Sequence, residues 1–502
     1  MSLLTLKHIF GVKTSHRNSI EYLNEYCYVY PSNRHIIFYN KEYKNEYFID
    51  FENENDQFEC LLISPNKEYL SIGFSNLNKS RIILYKINQI IKSPPIKLKT
   101  FSLKNSHQIN SVCFSSNSKY LLVLSGTSEH VLTCWSIPQS RSIGTINIHI
   151  NSSTNPLHLQ ISFNPINSSN ILISGNDFVE EFHLNNGTIS RIFREEFSRY
   201  SSSKITAHCW LNESHMLIAF ENGFLCILNK DRQIIQQYYV NGLLDSVETK
   251  RKKSKGNLVK SKSSFYLSSS LSIPSKRSSL SLINLHDHSR RNSFRYLNVL
   301  TDDYLHKNHS SRIISLLSFP RGVFVSTSKG EVLVYERNEN HIELNYLRRF
   351  LLPSSSVNDS TNEFIHSLSL NPNEEMLLVA TNRNHLYEID LSKMDYRRKE
   401  EIINSNSLHD AHSGSIIDGV LSLSKSLLFT IGSDRSIQIW NYQTNIEEFK
   451  YEFPIEPIMM SVHPNGIFIC LGFFDQIQIS FYTNENFILF KQFQLFNVQC
   501  VN

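Results

Sequence analysis

IIDGVLSLSKSLLFTIGSDRSIQIWNY, residues 416–442, decides the fold of this chain of 502 residues. The stretch holds short apolar runs that are separated by polar segments rich in Ser, Gly and Asp. Apolar runs of about four to six residues between turn-forming residues are typical of strands in antiparallel hairpins. Helical spacing is not sustained over the stretch. The sequence therefore predicts a unit of short antiparallel strands.

The same order of strand, turn and strand recurs along the chain. Clear copies lie at 112–137 and 367–391, and the step is about 50 residues for most neighbours and about 40 for the last. Eight units have the full pattern, and a ninth, less regular unit lies at 24–50. Repeats of this length, each built from several short strands, are typical of β-propeller blades.

One unit also carries a specific motif. DRSIQIWN at 434–441 fits the WD-repeat signature Asp-x-Thr-Ile-x-Leu-Trp-Asp. His412 lies upstream, where WD repeats place the His of a Gly-His pair, although Ala411 replaces the Gly. Such repeats join a His, a turn Asp, a hydroxyl and the Trp in one buried network, in which the polar groups satisfy each other. The network predicted here consists of His412, Asp434, Trp440 and a hydroxyl from Thr430 or Ser433.

Nine units do not fit one propeller ring of the common size, which has seven blades. We therefore expect an all-β chain with a seven-bladed WD-repeat β-propeller over 1–395 and the first blades of a second, incomplete propeller over 401–502. Two blades cannot close a ring and would leave a sheet edge exposed. The sequence leaves open which propeller the N-terminal strand completes.

Residues 241–310 interrupt the repeat with a tract rich in Ser and Lys. From Thr249 to His286 there are nine Lys or Arg residues and no Asp or Glu. Such a tract cannot bury enough apolar surface to fold alone, so we expect a disordered loop between blades. It serves as a solvated tether, or it docks on an acidic surface such as a tubulin tail, a membrane or nucleic acid. Three serines near basic residues are candidate phosphorylation sites, namely Ser254, Ser279 and Ser293.

Composition argues against several other classes of protein. The net charge of +4 does not call for a nucleic-acid partner, and no apolar run is long enough to span a membrane. The eight cysteines form no CxxC pair, and nucleotide-binding, protease and hydrolase motifs do not occur. His409 and His412, with Asp410 between them, invite a metal interpretation, but no third ligand is visible in the sequence. We expect no catalytic residue, metal or cofactor.

Four stretches, in order along the chain, resemble the cilia- and flagella-associated protein 57 family. They are HIFGVKTSHRNSIEYLNE (8–25), SLSLNPNEEMLLVATNRNHLYEI (367–389), GSDRSIQIWNYQTN (432–445) and SVHPNGIFICLGF (461–473). The resemblance implies two tandem propellers followed by a long coiled coil. It also implies an axonemal protein that associates with inner dynein arms and doublet microtubules and regulates ciliary motility. This chain has no heptad run, so the resemblance implies a form truncated before the coiled coil.

The sequence thus predicts a non-catalytic scaffold of the ciliary or flagellar axoneme, with protein partners and no membrane insertion. The alternative is a soluble cytoplasmic WD-repeat adaptor or substrate receptor in a complex of the ubiquitin-ligase or coat type. A propeller enzyme would need titratable residues that converge on the central channel, and none are identified. Binding residues are expected in the loops at the rims, because the sheets themselves are rigid.

Overall fold

The computed structural model describes residues 6–14, 17–76, 79–87, 95–103, 108–127, 129–150, 159–185, 187–197, 203–240, 311–338, 343–353, 363–392, 400–402, 412–422, 424–483 and 486–494. These residues form 36 β-strands and no α-helix. Within them, no helix is long and apolar enough to cross a membrane. The insert at 241–310 lies outside the described residues, and so do Ser254, Ser279 and Ser293, as well as His409 and Asp410.

The strands form nine sheets, which we number in chain order. Sheet 1 contains β1 (Glu21–Tyr22), β2 (Cys27–Ser32), β3 (His35–Asn40) and β4 (Asn45–Asp50). Sheet 2 contains β5 (Gln57–Ile63), β6 (Tyr69–Ser75), β7 (Ser80–Lys86) and β8 (Ile96–Leu103). Sheet 3 contains β9 (Ile109–Phe114), β10 (Tyr120–Ser125), β11 (His130–Ser136) and β12 (Arg141–Ile148). Sheet 4 contains β13 (Gln160–Phe163), β14 (Asn170–Ser174), β15 (Phe178–Asn185) and β16 (Thr188–Glu196).

The remaining five sheets continue this pattern. Sheet 5 contains β17 (Ile205–Trp210), β18 (Met216–Phe220), β19 (Phe224–Leu228) and β20 (Ile234–Tyr239). Sheet 6 begins with β21 (Ile313–Phe319), β22 (Gly322–Thr327), β23 (Glu331–Arg337) and β24 (Leu344–Leu351). Sheet 7 contains β25 (Ile365–Leu370), β26 (Met376–Thr381) and β27 (Leu386–Asp390), and β28 (Glu400–Ile402) pairs in parallel with β24 of sheet 6. Sheet 8 contains β29 (Ile416–Ser422), β30 (Leu427–Gly432), β31 (Ser436–Asn441) and β32 (Ile446–Glu452). Sheet 9 contains β33 (Met459–Val462), β34 (Phe468–Gly472), β35 (Gln476–Thr483) and β36 (Asn486–Gln494).

The polar turns of the repeat join the first strand of a sheet to the second. In sheets 2 and 3 the Ser that follows the first strand accepts a hydrogen bond from the first backbone N–H of the second strand. Ser64 Oγ is 2.9 Å from Tyr69 N, and Ser115 Oγ is 2.9 Å from Tyr120 N. A residue inside each turn takes the left-handed conformation, as Lys67 does with φ 59°. Short polar side chains that bond the backbone favour turns over helices, which explains why Ser and Asn recur at these positions.

Seven of the sheets form a closed ring. The first strands of sheets 1 to 7 contact one another in chain order, and β25 of sheet 7 contacts β1 of sheet 1. Two hydrogen bonds join the ends of the ring, from Tyr22 N to Ser369 Oγ at 2.9 Å and from Thr14 N to Asn384 Oδ1 at 3.1 Å. Lys41 and Glu388 add an ion pair between sheets 1 and 7. The N-terminal strand thus lies in sheet 1, beside sheet 7.

The apolar core follows the same order. One buried cluster lies between each neighbouring pair of sheets around the ring, including the pair formed by sheets 7 and 1. An eighth cluster lies between sheets 8 and 9. Both faces of a sheet in the ring are therefore covered, which explains strands that are buried along their whole length, such as β18 and β22. The predicted all-β WD-repeat β-propeller class is confirmed.

Candidate functional site

The four residues of the predicted WD-type network lie together in sheet 8. His412 precedes β29, Thr430 lies in β30, Asp434 occupies the turn after β30, and Trp440 lies in β31. His412 Nδ1 is 3.0 Å from Asp434 Oδ1, and His412 Nε2 is 2.9 Å from Thr430 Oγ1. Trp440 Nε1 donates to the same Thr430 hydroxyl at 3.0 Å. Of the two hydroxyls that the sequence allowed, the structure places Thr430 in the network, whereas Ser433 Oγ accepts a bond from Ser415 N at 2.9 Å.

Additional donors complete the network around Asp434. Ser436 Oγ donates to Asp434 Oδ1 at 2.8 Å, and Ser413 N donates to Asp434 Oδ2 at 2.9 Å. Burial alone would raise the pKa of Asp434, but the hydrogen bond and the charge of His412, together with Ser436 and Ser413, hold that pKa well below its usual range. Sequence reasoning missed Ser436, although it occupies the Thr position of the WD signature.

The polar groups of this network are paired with one another inside sheet 8. Asp434 accepts the Nδ1–H of His412, the Thr430 hydroxyl is hydrogen-bonded to His412 Nε2, and Trp440 donates to the Thr430 oxygen, so every polar group has a partner. Both ring nitrogens of His412 are occupied, and its side chain is only 3% exposed. Neither nitrogen is available to take a proton from a substrate or to bind a metal. Among the described residues, no group of three or more His, Cys, Asp or Glu side chains could hold a metal ion.

Other sheets carry different polar pairs at a similar place, between the beginning of the first strand, or the segment just ahead of it, and the start of the third strand. In sheet 7, His385 Nδ1 is 2.8 Å from Glu363 Oε1, which reverses the order of acid and imidazole found in sheet 8. In sheet 3, Asn110 Nδ2 is 2.9 Å from His130 Nδ1. The partners in these pairs, like His412 and Asp434, are 20 to 22 residues apart. Sequence reasoning missed them because only sheet 8 keeps the residue types of the motif.

A second buried His lies between sheets 4 and 5. His208 Nε2 is 2.7 Å from Ser162 Oγ, and its Nδ1 is 2.6 Å from Ser174 Oγ. Burial, aided by the positive charge of Arg17, lowers the pKa of His208 to about 3, so this imidazole stays neutral near neutral pH. Arg17 itself donates to the backbone oxygens of Thr206 and Ile314 at 3.0 and 2.9 Å. A buried neutral His with two Ser partners links neighbouring sheets and offers no accessible base.

The N-terminal segment 6–14 joins the ring to sheet 8. The Phe10 ring lies 5.0 Å from the Trp440 ring of the network, measured between centroids. Thr14 N donates to Asn384 Oδ1 at 3.1 Å, and Asn384 Nδ2 donates to the backbone oxygen of His412 at 3.3 Å. One short segment therefore contacts sheet 7, which closes the ring, and sheet 8, which carries the WD-type network.

Comparison with known proteins gives two curated relatives that match nearly the whole chain. Cilia- and flagella-associated protein 57 of Mus musculus is 25% identical over 492 residues, which cover 97% of this chain and 37% of the relative. Cilia- and flagella-associated protein 57 C of Tetrahymena thermophila is 23% identical over 508 residues, which cover 95% of this chain and 36% of the relative. The chain thus spans little more than a third of the length of these relatives. The family resemblance predicted from the sequence is confirmed.

Solved structures add distant similarities. The β-propeller domain of Cps50 (Swd1) from Myceliophteria thermophila is 12% identical, with a TM-score of 0.46, and the match covers 78% of this chain and 99% of that one. A chain of the mitotic checkpoint complex is 11% identical, with a TM-score of 0.49, and the match covers 77% of this chain and 94% of that one. No family model matches the sequence.

Proposed function

We propose that this chain is a non-catalytic WD-repeat scaffold of the ciliary or flagellar axoneme. The observation that carries the proposal is the similarity over 97% of the chain to a relative named as cilia- and flagella-associated. The finer part of the proposal is that its partners are axonemal proteins, among them components of the inner dynein arms and the doublet microtubules, and that it takes part in ciliary motility.

The geometry supports a scaffold in two ways. The apolar clusters between neighbouring sheets make the ring rigid, so the rim turns hold fixed positions at which a protein partner can bind. The polar networks around His412 and His208 are buried and have partners for both ring nitrogens, which suits a structural role rather than catalysis.

We also propose that 1–395 forms one propeller and that 401–502 begins a second one. Sheets 8 and 9 enclose their own apolar cluster, and each has a second face that carries exposed apolar side chains. On β29, Val420 packs into the cluster, so Leu421, which is 58% exposed, points to the opposite face. On β34, Ile469 packs into the cluster, and Phe468 on the opposite face lies 6.5 Å from Phe490. Further blades on both sides would bury these faces.

An immunoblot with an antibody against 241–310 tests the axonemal proposal. Demembranated axonemes and cell bodies from ciliated or flagellated cells that express the chain are compared, with tubulin as the marker for axonemes. We expect a band in the axoneme fraction. A band at or above 58.3 kDa that is confined to the cell-body fraction would contradict the proposal and favour a soluble adaptor in the cytoplasm.

A further inference from the structure

Sheets 7 and 1 meet at the seam where the last sheet of the ring joins the first. The strands β1 to β4 pair within sheet 1 and β25 to β27 pair within sheet 7, so no strand that the structure describes crosses the seam. The strand β1 has only two residues, whereas the first strands of sheets 2 to 7 have four to seven. Closure at this seam therefore depends on side-chain packing and on the residues ahead of β1.

The residues ahead of β1 pack into this seam, and we call the described part of 12–20 the seam segment. Val12 and Ile20 are buried and belong to the apolar cluster between sheets 7 and 1. The Thr14 hydroxyl donates a hydrogen bond to the backbone oxygen of Thr381 at the end of β26. The seam segment is thus bonded to sheet 7 before the chain enters sheet 1.

The same segment crosses the central channel, which the first strands of sheets 1 to 7 surround. The backbone oxygen of Asn18 accepts a hydrogen bond from Leu61 N of sheet 2 at 2.9 Å. Arg17 Nη2 donates to the backbone oxygens of Thr206 in sheet 5 and Ile314 in sheet 6, at 3.0 and 2.9 Å. Sheets 5 and 6 are each three sheets away from sheet 2 around the ring, so two consecutive residues bond opposite walls of the channel.

The two oxygens that Arg17 binds belong to β-bulges. The register of β17 with β18 shifts around Thr206, and the register of β21 with β22 shifts around Ile314. The extra residue of a bulge is left unpaired in the ladder, so its carbonyl needs a donor from elsewhere. Burial and the nearby charge of Arg312 lower the pKa of Arg17 to about 10, so the guanidinium is still charged near neutral pH. Arg17 therefore joins sheets 5 and 6 through charge-assisted bonds to both bulges.

We propose that the seam segment is a latch that closes the ring from inside, and that Arg17 holds this latch by reaching across the channel. The segment is fixed at the seam by its apolar residues and Thr14, on sheet 2 through Asn18, and on sheets 5 and 6 through Arg17. Loss of the Arg17 bonds frees the middle of the segment, loosens the seam and opens the channel, while the packing between sheets 3 and 4 is retained. Such a ring opens at one seam without unfolding its other sheets. The inference does not depend on the axonemal location.

Thiol labelling at position 19 measures how often the latch opens. Ser19 is fully buried, and its hydroxyl has no hydrogen-bond partner among the described residues, so Ser19→Cys places a reporter thiol there without removing a bond. The full chain with this reporter is reacted with N-ethylmaleimide, and mass spectrometry follows the peptide that contains position 19. Arg17→Met keeps the aliphatic stem and removes the donors. The matched control is Arg34→Met, which changes an exposed arginine of sheet 1.

We expect the thiol at position 19 to react at least about tenfold faster in Arg17→Met, because bonds from a charged group no longer hold the segment. In Arg34→Met the rate should stay within about twofold of the parent, as is usual for exposed positions. Amide hydrogen exchange of the same variants should become faster in β1 and β25 of Arg17→Met and stay unchanged in sheets 3 and 4.

Two results overturn the proposal. One is labelling of Arg17→Met at the parental rate. The other is hydrogen exchange that becomes faster to the same extent in sheets 1, 3, 4 and 7, because the segment then does not open as a separate unit. Thermal melts establish whether each variant is folded. If Arg17→Met does not fold, Arg17→Lys, which keeps the charge but not the planar fork of donors, is measured in its place and should change both rates in the same direction.

Discussion

Replacement of Thr430 by Val tests whether the network in sheet 8 contributes to stability. Valine has nearly the shape of threonine and favours strands, so the change removes one hydroxyl without opening a cavity. Thr430 Oγ1 is 2.9 Å from His412 Nε2 and 3.0 Å from Trp440 Nε1. Both partners are buried, with Trp440 only 7% exposed, so water cannot replace the lost hydroxyl.

The expected cost follows from these two contacts. A buried polar group left without a partner costs about 1–3 kcal/mol, so two such groups give about 2–6 kcal/mol. The loss should be local, because the apolar cluster between sheets 8 and 9 shares no member with those around the ring. At the lower bound, hydrogen-exchange protection of the β30 and β31 amides falls about 30-fold, while the protection of sheets 2 to 5 stays unchanged.

Two control variants separate the hydroxyl from other effects of the substitution. Thr430→Ser keeps the hydroxyl and should retain most of the protection, whereas Thr444→Val changes an exposed turn residue in the same sheet and should have little effect. Hydrogen exchange followed by mass spectrometry measures all three variants under one set of conditions. If Thr430→Val exchanges as slowly as the parent in β30 and β31, the bonds to His412 and Trp440 do not stabilise sheet 8 and the reasoning is wrong.

Two further predictions concern acid stability and self-association. Folding lowers the pKa of His208 from 6.5 to about 3. Between pH 3 and pH 6.5 this His is therefore protonated in the unfolded chain and neutral in the folded chain, so the free energy of unfolding should rise as the pH rises through this range. His208→Gln should flatten this dependence in thermal melts between pH 4.5 and 7, and an unchanged slope would contradict the assignment. The exposed apolar faces around Leu421 and Phe490 should make the isolated chain self-associate, which sedimentation velocity measures. The double variant Leu421→Lys with Phe490→Lys should reduce self-association, whereas the control Ile96→Lys on sheet 2 should not. A parent chain that stays monomeric at all concentrations tested would contradict this second prediction.

The nine strand-rich units were predictable because their signals are local. Each polar turn and the apolar runs beside it lie within about 25 residues, and the side chain of Ser64 or Ser115 fixes its own turn. The closure of the ring was not predictable in the same way, and the sequence left the place of the N-terminal strand open. The bond between Tyr22 and Ser369 joins residues 347 positions apart, and neither residue type is unusual for a strand. Only the packing of sheet 1 on sheet 7 brings them together.

Among the polar sites too, the one that keeps the WD signature within one sheet could be predicted from the sequence, and those formed between sheets could not. The network of His412, Thr430, Asp434 and Trp440 could be predicted because one signature holds all its members within a single sheet. The pair of Glu363 and His385 occupies the equivalent place in sheet 7, but the acid and the imidazole are exchanged, so a motif defined by residue type misses it. Arg383 and Arg435 belong to turns of different sheets, yet both line one cleft, and Asn384 beside Arg383 donates to the backbone oxygen of His412. A surface that forms where two repeat units meet depends on how the units pack, and no pattern within one unit records it.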